Sequence, residues 1–138
     1  MTRTRQEGIA YTPFPTDLQK LEREKSRLLL EAHLLKSQMR FAEAAESFEK
    51  AAHYEDTLAA WADAQGLSEL YYLHAFSALS CWAQAGDPHR ALTLSLALLQ
   101  AEELTDAQRN QLQNYYYTLE QRWVSWMQQW STSAFSPA

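Results

Sequence analysis

Apolar residues recur along most of this chain at the three- and four-residue spacing of an amphipathic helix. The first run begins near Thr16, which has the capping-box spacing to Gln19, and we predict helix 1 at about 17–38. A second run begins at Phe41. Because the connection between the two runs is so short, they should form an antiparallel hairpin. The apolar positions of the first run are Leu18, Leu21, Leu28, Ala32, Leu35 and Met39.

Turn residues predict three further helices. Gly66 is suited to end helix 2, and Ser68 is suited to cap helix 3. Gly86-Asp87-Pro88 marks the next boundary, because glycine ends a helix, aspartate caps the next one and proline takes its first position. A second capping box, Thr105 with Gln108, opens the last helix. We predict these helices at about 69–85, 88–101 and 106–130.

The predicted fold is all-α, five antiparallel helices in one domain over 16–130, with the last helix covering the end of the core. A chain of 138 residues is of ordinary size for one domain. Residues 1–15 show no periodicity and contain Pro13 and Pro15, so we predict a mobile or loosely docked tail. Residues 131–138 are predicted to be a frayed C-terminal tail.

Composition and charge narrow the class of protein. The single cysteine, Cys81, favours a reducing compartment, and we expect a cytoplasmic protein. No apolar run follows Arg3 and Arg5, so we expect no secretory signal, and no run is long enough to predict a membrane span. Residues 41–69 carry seven acids against Lys50 alone, which disfavours nucleic-acid binding. This acidic run is typical of a solvated helix face; a docking patch for a basic partner is the alternative.

The first hairpin combines small residues at Ala32, Ala44 and Ala51 with large residues at Leu28, Leu35, Phe41 and Phe48. In this pattern it resembles the tetratricopeptide repeat, whose signature places small residues at a helix crossing and bulky ones beside it. The resemblance departs from the family further along. Near the second turn, Leu79 and Leu98 stand where small residues are expected and Ser95 stands where an aromatic is expected, and the spacing from Ala44 to Ala91 exceeds the usual repeat. We attribute the excess to a longer helix 2, and a plain helical bundle is the alternative.

The resemblance implies a protein-binding module or adaptor that takes an apolar helix or peptide into a groove formed by helices 1 and 3. Some members of the family hold a C-terminal carboxylate with Lys and Asn, but this chain has Leu29 and His33 at one such pair of positions. A carboxylate clamp is therefore disfavoured. The alternatives are a small secretion-type chaperone and a structural homodimer subunit. The groove positions carried over are Leu29, His33, Lys36, Phe76, Ser80 and Ala83.

The sequence shows no motif for catalysis or for a cofactor. Glu49 and His53 have a spacing that two metal ligands could use, but no second pair accompanies them, so we predict a solvated ion pair and no metal site. Three scattered glycines form no phosphate-binding loop. Cys81 stands beside Trp82 on a predicted helix and should be buried and unreactive. We therefore predict that the protein is not an enzyme.

Helix 5 carries an aromatic stripe with steps of 4, 3, 4, 3 and 4 residues. We predict that most of the stripe covers the core, with Trp123 buried against helices 3 and 4. Further apolar residues make the arc too broad for one neighbouring helix, so we expect Tyr117 and Trp130 to contact a partner or a second copy of the chain. Arg122 is the only cation between the ends of the stripe, which disfavours membrane docking. The stripe consists of Leu112, Tyr116, Leu119, Trp123, Trp126 and Trp130.

Overall fold

The computed structural model describes the chain from residue 12 to residue 135, and its side chains from 12 to 129. This part of the chain forms five α-helices and contains no strand, so the all-α prediction is confirmed. Each helix packs against the next along the chain. The helices are α1 (Thr16–Ser37), α2 (Phe41–Ala64), α3 (Ser68–Gln84), α4 (Pro88–Leu99) and α5 (Asp106–Phe135).

Two of the predicted helix caps are present and two are not. Asp87 accepts a hydrogen bond from the Arg90 backbone N–H at 3.1 Å, which caps α4. Thr105 and Gln108 form a reciprocal capping box, in which each side chain bonds the other's backbone N–H. Ser68, in contrast, lies inside α3 and does not cap it. The predicted box at Thr16 is absent as well.

The start of α1 is fixed by a different contact. Gln19 donates its side-chain amide to the backbone carbonyl of Phe14 at 2.8 Å, instead of bonding Thr16. Phe14 is only 3% exposed and packs against Trp61 and His74, with ring centroids 5.1 and 5.5 Å away. The last residues of the predicted N-terminal tail are therefore docked on the helices. The rest of that tail, residues 1–11, lies outside the described residues.

The turns after the first three helices each use one residue with positive φ. Gly66 and Gly86 have φ of 72° and 90° after α2 and α3, where glycine meets no steric penalty. After α1 the same conformation falls on Met39, with φ of 62°. A side chain in this region is strained, so the first turn carries a local cost that the other two avoid.

The core runs the length of the array as three clusters of buried side chains. At the α1–α2 crossing, Ala32 and Ala44 pack beside Phe48, as predicted for small residues at close helix approach. The central cluster joins all five helices and includes Trp82 and Leu119. The third cluster joins α3, α4 and α5 and consists of Tyr72, Leu79, Leu98 and Leu112.

Candidate functional site

The α1 residues predicted to line a groove contact different parts of the array. Leu29 is half-buried against the central cluster. His33 is exposed and sets its ring edge-on to Phe48, with centroids 5.3 Å apart. Lys36 donates to the Gln84 side chain at 2.9 Å, which ties the end of α1 to the end of α3. This contact brings α1 and α3 together at that end.

The α3 residues of the predicted set have different surroundings from one another. Phe76 is half-buried between Tyr72 and Tyr115, with ring centroids 5.7 and 5.3 Å away, so α5 covers much of its ring. Ser80 is half-buried within the array. Ala83 lines a cleft between the α3–α4 turn and α5. Phe76 and Ser80 are not among the residues that line this cleft.

This cleft, hereafter the distal cleft, has a volume of about 570 Å³, which lies within the range of sites that hold a ligand or a side-chain cluster. Its floor is mostly apolar. The stacked pair Trp123 and Trp126, with ring centroids 5.5 Å apart, forms one wall. Its lining residues are Ala83, Gly86, Asp87, Pro88, His89, Leu119, Arg122, Trp123 and Trp126.

The cleft exists because α5 is much longer than the helix it packs on. α4 has 12 residues and α5 has 30, so their lengths are about 18 and 45 Å at the rise of an α-helix. Leu119, near the middle of α5, is 1% exposed, whereas Trp126 is 52% exposed. The aromatic stripe therefore covers the core as far as Leu119 and is exposed at Trp126.

Trp123 lies between these two positions of the stripe. It is half-buried, beside His89 of α4 at a centroid distance of 6.1 Å, and not fully buried as predicted. The shortness of α4 explains the difference, since little of α4 extends past His89 to cover the indole. The helix also continues five residues beyond its predicted end at 130, to Phe135.

A second apolar strip lies on a different side of α5. Tyr117, Val124 and Met127 are all exposed there. Tyr117 was predicted as a contact residue, and the structure leaves it 62% exposed. The side chain of Trp130, the other predicted contact residue on α5, lies outside the described residues. The distal half of α5 thus presents apolar side chains both inside and outside the cleft.

A buried polar cluster joins α1, α2 and α3. Glu55 is 1% exposed, and its two carboxylate oxygens accept hydrogen bonds from different side chains. His74 Nδ1 lies 2.7 Å from one oxygen, and the Ser77 hydroxyl donates to the other. Lys25 Nζ stands 3.5 Å from Glu55 and completes an ion pair. Since His74 and Ser77 bond different oxygens, the cluster lacks the direct serine–histidine contact of a nucleophilic site.

The charge state of this cluster follows from its contacts. Burial alone raises the pKa of the Glu55 carboxyl, but hydrogen bonds from His74 and Ser77 and the charge of Lys25 outweigh it and lower the pKa below 4.5. An ionised carboxylate only accepts, so the bonded His74 nitrogen carries the proton. Burial raises the pKa of the nearby Cys81 thiol to about 12, so it stays a thiol at neutral pH.

Glu49 and His53, predicted to form a solvated ion pair, do not appear among the ion pairs of the described residues. His53 packs edge-on to Trp82, with centroids 4.8 Å apart. Arg90 also contacts Trp82, and its guanidinium lies 3.9 Å from the ring centroid. The Trp82 indole N–H donates a hydrogen bond to Asp56. Among the described residues, no group of three His, Cys, Asp or Glu side chains is arranged to hold a metal ion.

Sequence periodicity did not identify the most buried polar contacts. Glu55 belongs to the acidic run that was predicted to be solvated, and only its position on the core-facing side of α2, among Ala51, Ala52 and Leu58, hints otherwise. Phe14 was missed because the two flanking prolines obscure any period. Arg122 was noted only as a lone cation.

The chain was compared with family models, with curated proteins and with solved structures, and none of the three comparisons found a match. Within the described part of the chain, no helix combines the length and the apolar character needed to cross a membrane.

Proposed function

We propose that this chain is a protein-binding module of the adaptor type, and that the distal cleft takes an apolar segment of a partner protein. The observation that carries the proposal is the exposed half of the aromatic stripe. Trp126 stacks on Trp123 yet leaves half of its surface in solvent, at the rim of a cleft. Exposed tryptophan beside a pocket is typical of the anchors that dominate protein interfaces.

The extent of the apolar surface favours a protein over a small ligand. Apolar contact residues continue from the cleft onto the strip formed by Tyr117, Val124 and Met127, which lies outside the cleft. A small molecule in the cleft would leave that strip uncovered, whereas a helix or an extended segment can cover both. Residues 110–138 contain just two charged residues, Glu120 and Arg122, so little charge must be desolvated when a partner binds there.

The resemblance to the tetratricopeptide repeat supports the same function but implies a different binding surface from the distal cleft. A tetratricopeptide-like array binds partners on the surface formed by the first helix of each hairpin. In this chain Tyr115 of α5 packs on Phe76, and the part of that surface that forms a cleft with an aromatic wall lies beyond Ala83, at the distal cleft. We therefore place the partner between α3 and α5 and not between α1 and α3. A cytoplasmic location fits the buried thiol of Cys81, which needs no oxidised partner.

Two other functions predicted from the sequence would use the same surface. A small secretion-type chaperone would hold an apolar segment of its client in the cleft. A structural homodimer would cover the exposed strip with a second copy. Both are forms of protein binding through α5, and they differ in what occupies the cleft.

Affinity capture with three matched baits tests the proposal. The baits are the unaltered chain, Trp126→Ser, and Leu73→Ser, which alters an exposed leucine on α3 outside the cleft. We expect at least one protein to be recovered by the unaltered chain and by Leu73→Ser but lost with Trp126→Ser. Equal recovery by all three baits, when circular dichroism shows that all are folded, would contradict the proposal.

A further inference from the structure

We infer that the segment bound in the distal cleft carries a carboxylate beside its apolar side chains. This inference rests on the proposed function of the cleft and adds the charge of its partner. It starts from Arg122, an exposed cation among the apolar lining residues. A guanidinium at the edge of an apolar cleft selects a carboxylate, because it can form two parallel hydrogen bonds with it.

One acidic residue, Asp87, lies in the cleft, and it caps α4. Its carboxylate accepts a hydrogen bond from the Arg90 backbone N–H at 3.1 Å. Among the described residues, no ion pair joins Arg122 to an acidic side chain. No acid of the described residues therefore competes with an acid from a partner for Arg122.

The other charged residue of distal α5 cannot substitute for such a partner. Glu120 precedes Arg122 by two residues, and on an α-helix this places the two side chains about 200° apart around the axis. Glu120 therefore faces away from the cleft side on which Arg122 lies. Side chains two positions apart on a helix do not meet.

The N-terminus of α4 adds positive electrostatic potential to that of Arg122. Pro88 and His89, the first residues of α4, line the cleft, so the positive end of the helix dipole is directed toward it, although Asp87 offsets part of this. The guanidinium of Arg90, in contrast, lies over the ring of Trp82, and Arg90 does not line the cleft.

These features are unusual for an acidic molecule. The whole chain has a net charge of −5, and much of its surface would repel an acidic segment. At the cleft the charge is balanced and not negative, since Arg122 offsets Asp87 among the lining residues. An apolar segment with a neighbouring Asp or Glu should bind about fivefold more tightly than one with Lys at the same place, as for other partly exposed ion pairs.

Selection from a random-peptide library displayed on phage tests the inference without a known partner. The immobilised full chain is compared with Arg122→Glu and Trp126→Ser. We expect the unaltered chain to enrich peptides with aromatic or aliphatic residues next to Asp or Glu. Arg122→Glu should still enrich apolar peptides but with Lys or Arg in place of the acids, and Trp126→Ser should lose the enrichment.

The outcomes separate this inference from the proposed function. Apolar peptides that depend on Trp126 but show no acidic preference, or whose preference survives Arg122→Glu, would overturn the inference and leave the cleft as a protein-binding site. Absence of any enrichment that depends on Trp126 would overturn both. Sedimentation velocity on the same proteins provides a further outcome: self-association lost in Trp126→Ser would show that a second copy, and not an acidic segment, occupies the cleft.

Discussion

Leu119 and Trp126 belong to one stripe of α5, seven residues apart, and yet they have opposite surroundings. Leu119 is buried among side chains of the central cluster. Trp126 lies beyond the N-terminal end of α4. It packs against Trp123 and is 52% exposed to solvent. The same helical face therefore holds the fold together at one residue and is open for contact at the other.

This difference predicts separate effects of truncating each side chain. Leu119→Ala should lower the free energy of unfolding by about 2–5 kcal/mol, because it removes buried methyl groups and leaves a cavity. Trp126→Ala should lower it by less than about 1 kcal/mol, as is usual at exposed positions. Urea denaturation followed by circular dichroism measures both. Equal losses in the two variants would show that distal α5 is as much part of the core as proximal α5.

Glu55 holds three helices together through charge and not through apolar packing. Its carboxylate bonds His74 and Ser77 of α3 and pairs with Lys25 of α1. Removing one member of a buried ion pair leaves the other uncompensated and typically costs about 3–5 kcal/mol. The cluster should therefore be sensitive to acid.

The pH dependence has a definite sign. The folded-state pKa of Glu55 lies below its ordinary value of 4.5, so its contribution to stability is complete above that pH and is lost as the pH falls through the folded-state pKa. Glu55→Gln removes this titration. We expect the unaltered chain to lose more unfolding free energy than Glu55→Gln between pH 7 and pH 3 in urea titrations. Parallel pH profiles for the two proteins would exclude Glu55 as the source.

At the scale of the helices, substitutions at two of the turns should change the stability of the protein in opposite directions. Met39 has positive φ, where a side chain costs about 1–2 kcal/mol, so Met39→Gly should stabilise the protein by up to about 1 kcal/mol after the entropy of glycine is subtracted. Gly66→Ala should destabilise it by about 1 kcal/mol. An added Cβ at Gly66 meets no atom within 4 Å, so that cost is backbone strain alone. Thermal unfolding of both variants measures the contrast, and shifts of the same sign would refute it.

Helix positions were predictable because local chemistry specifies them. Apolar spacing located all five helices, and Asp87 and the Thr105–Gln108 box marked the starts of α4 and α5. Ser68 failed as a cap because the chain turns one residue earlier, at Leu67. Gln19 failed as a capping-box partner because its amide reaches the carbonyl of Phe14, whose ring is buried between α2 and α3.

The site was less predictable because it depends on which helices lie side by side. The sequence indicates that α5 has a long apolar stripe and that α4 begins at Pro88, but not that this beginning lies beside Trp123 and leaves Trp126 exposed. Nor does it indicate that Tyr115 covers Phe76 and so closes part of the predicted groove. Glu55 looked like a solvated acid since its partners, His74 and Ser77, are about twenty residues away in sequence.

Across the described part of the molecule, exposed apolar side chains are most numerous toward the two ends of the array. Tyr117, Val124, Trp126 and Met127 lie on distal α5. At the other end, Leu30, Leu34 and Phe41 are exposed on the α1–α2 hairpin. The α5 end differs in having a cleft with an aromatic wall and with Arg122, which forms no ion pair among the described residues, and we place the partner there for that reason.

Amide hydrogen exchange tests that placement most directly, with the full chain measured alone and in complex with a protein or peptide that it captures. The account predicts that exchange slows in α5 between about residues 117 and 129 and at the α3–α4 turn. Amides near Leu112 should be unchanged, because they are already within the core. Protection confined to the α1–α2 hairpin around Leu34, or no change in α5, would contradict the claim that distal α5 is the binding surface.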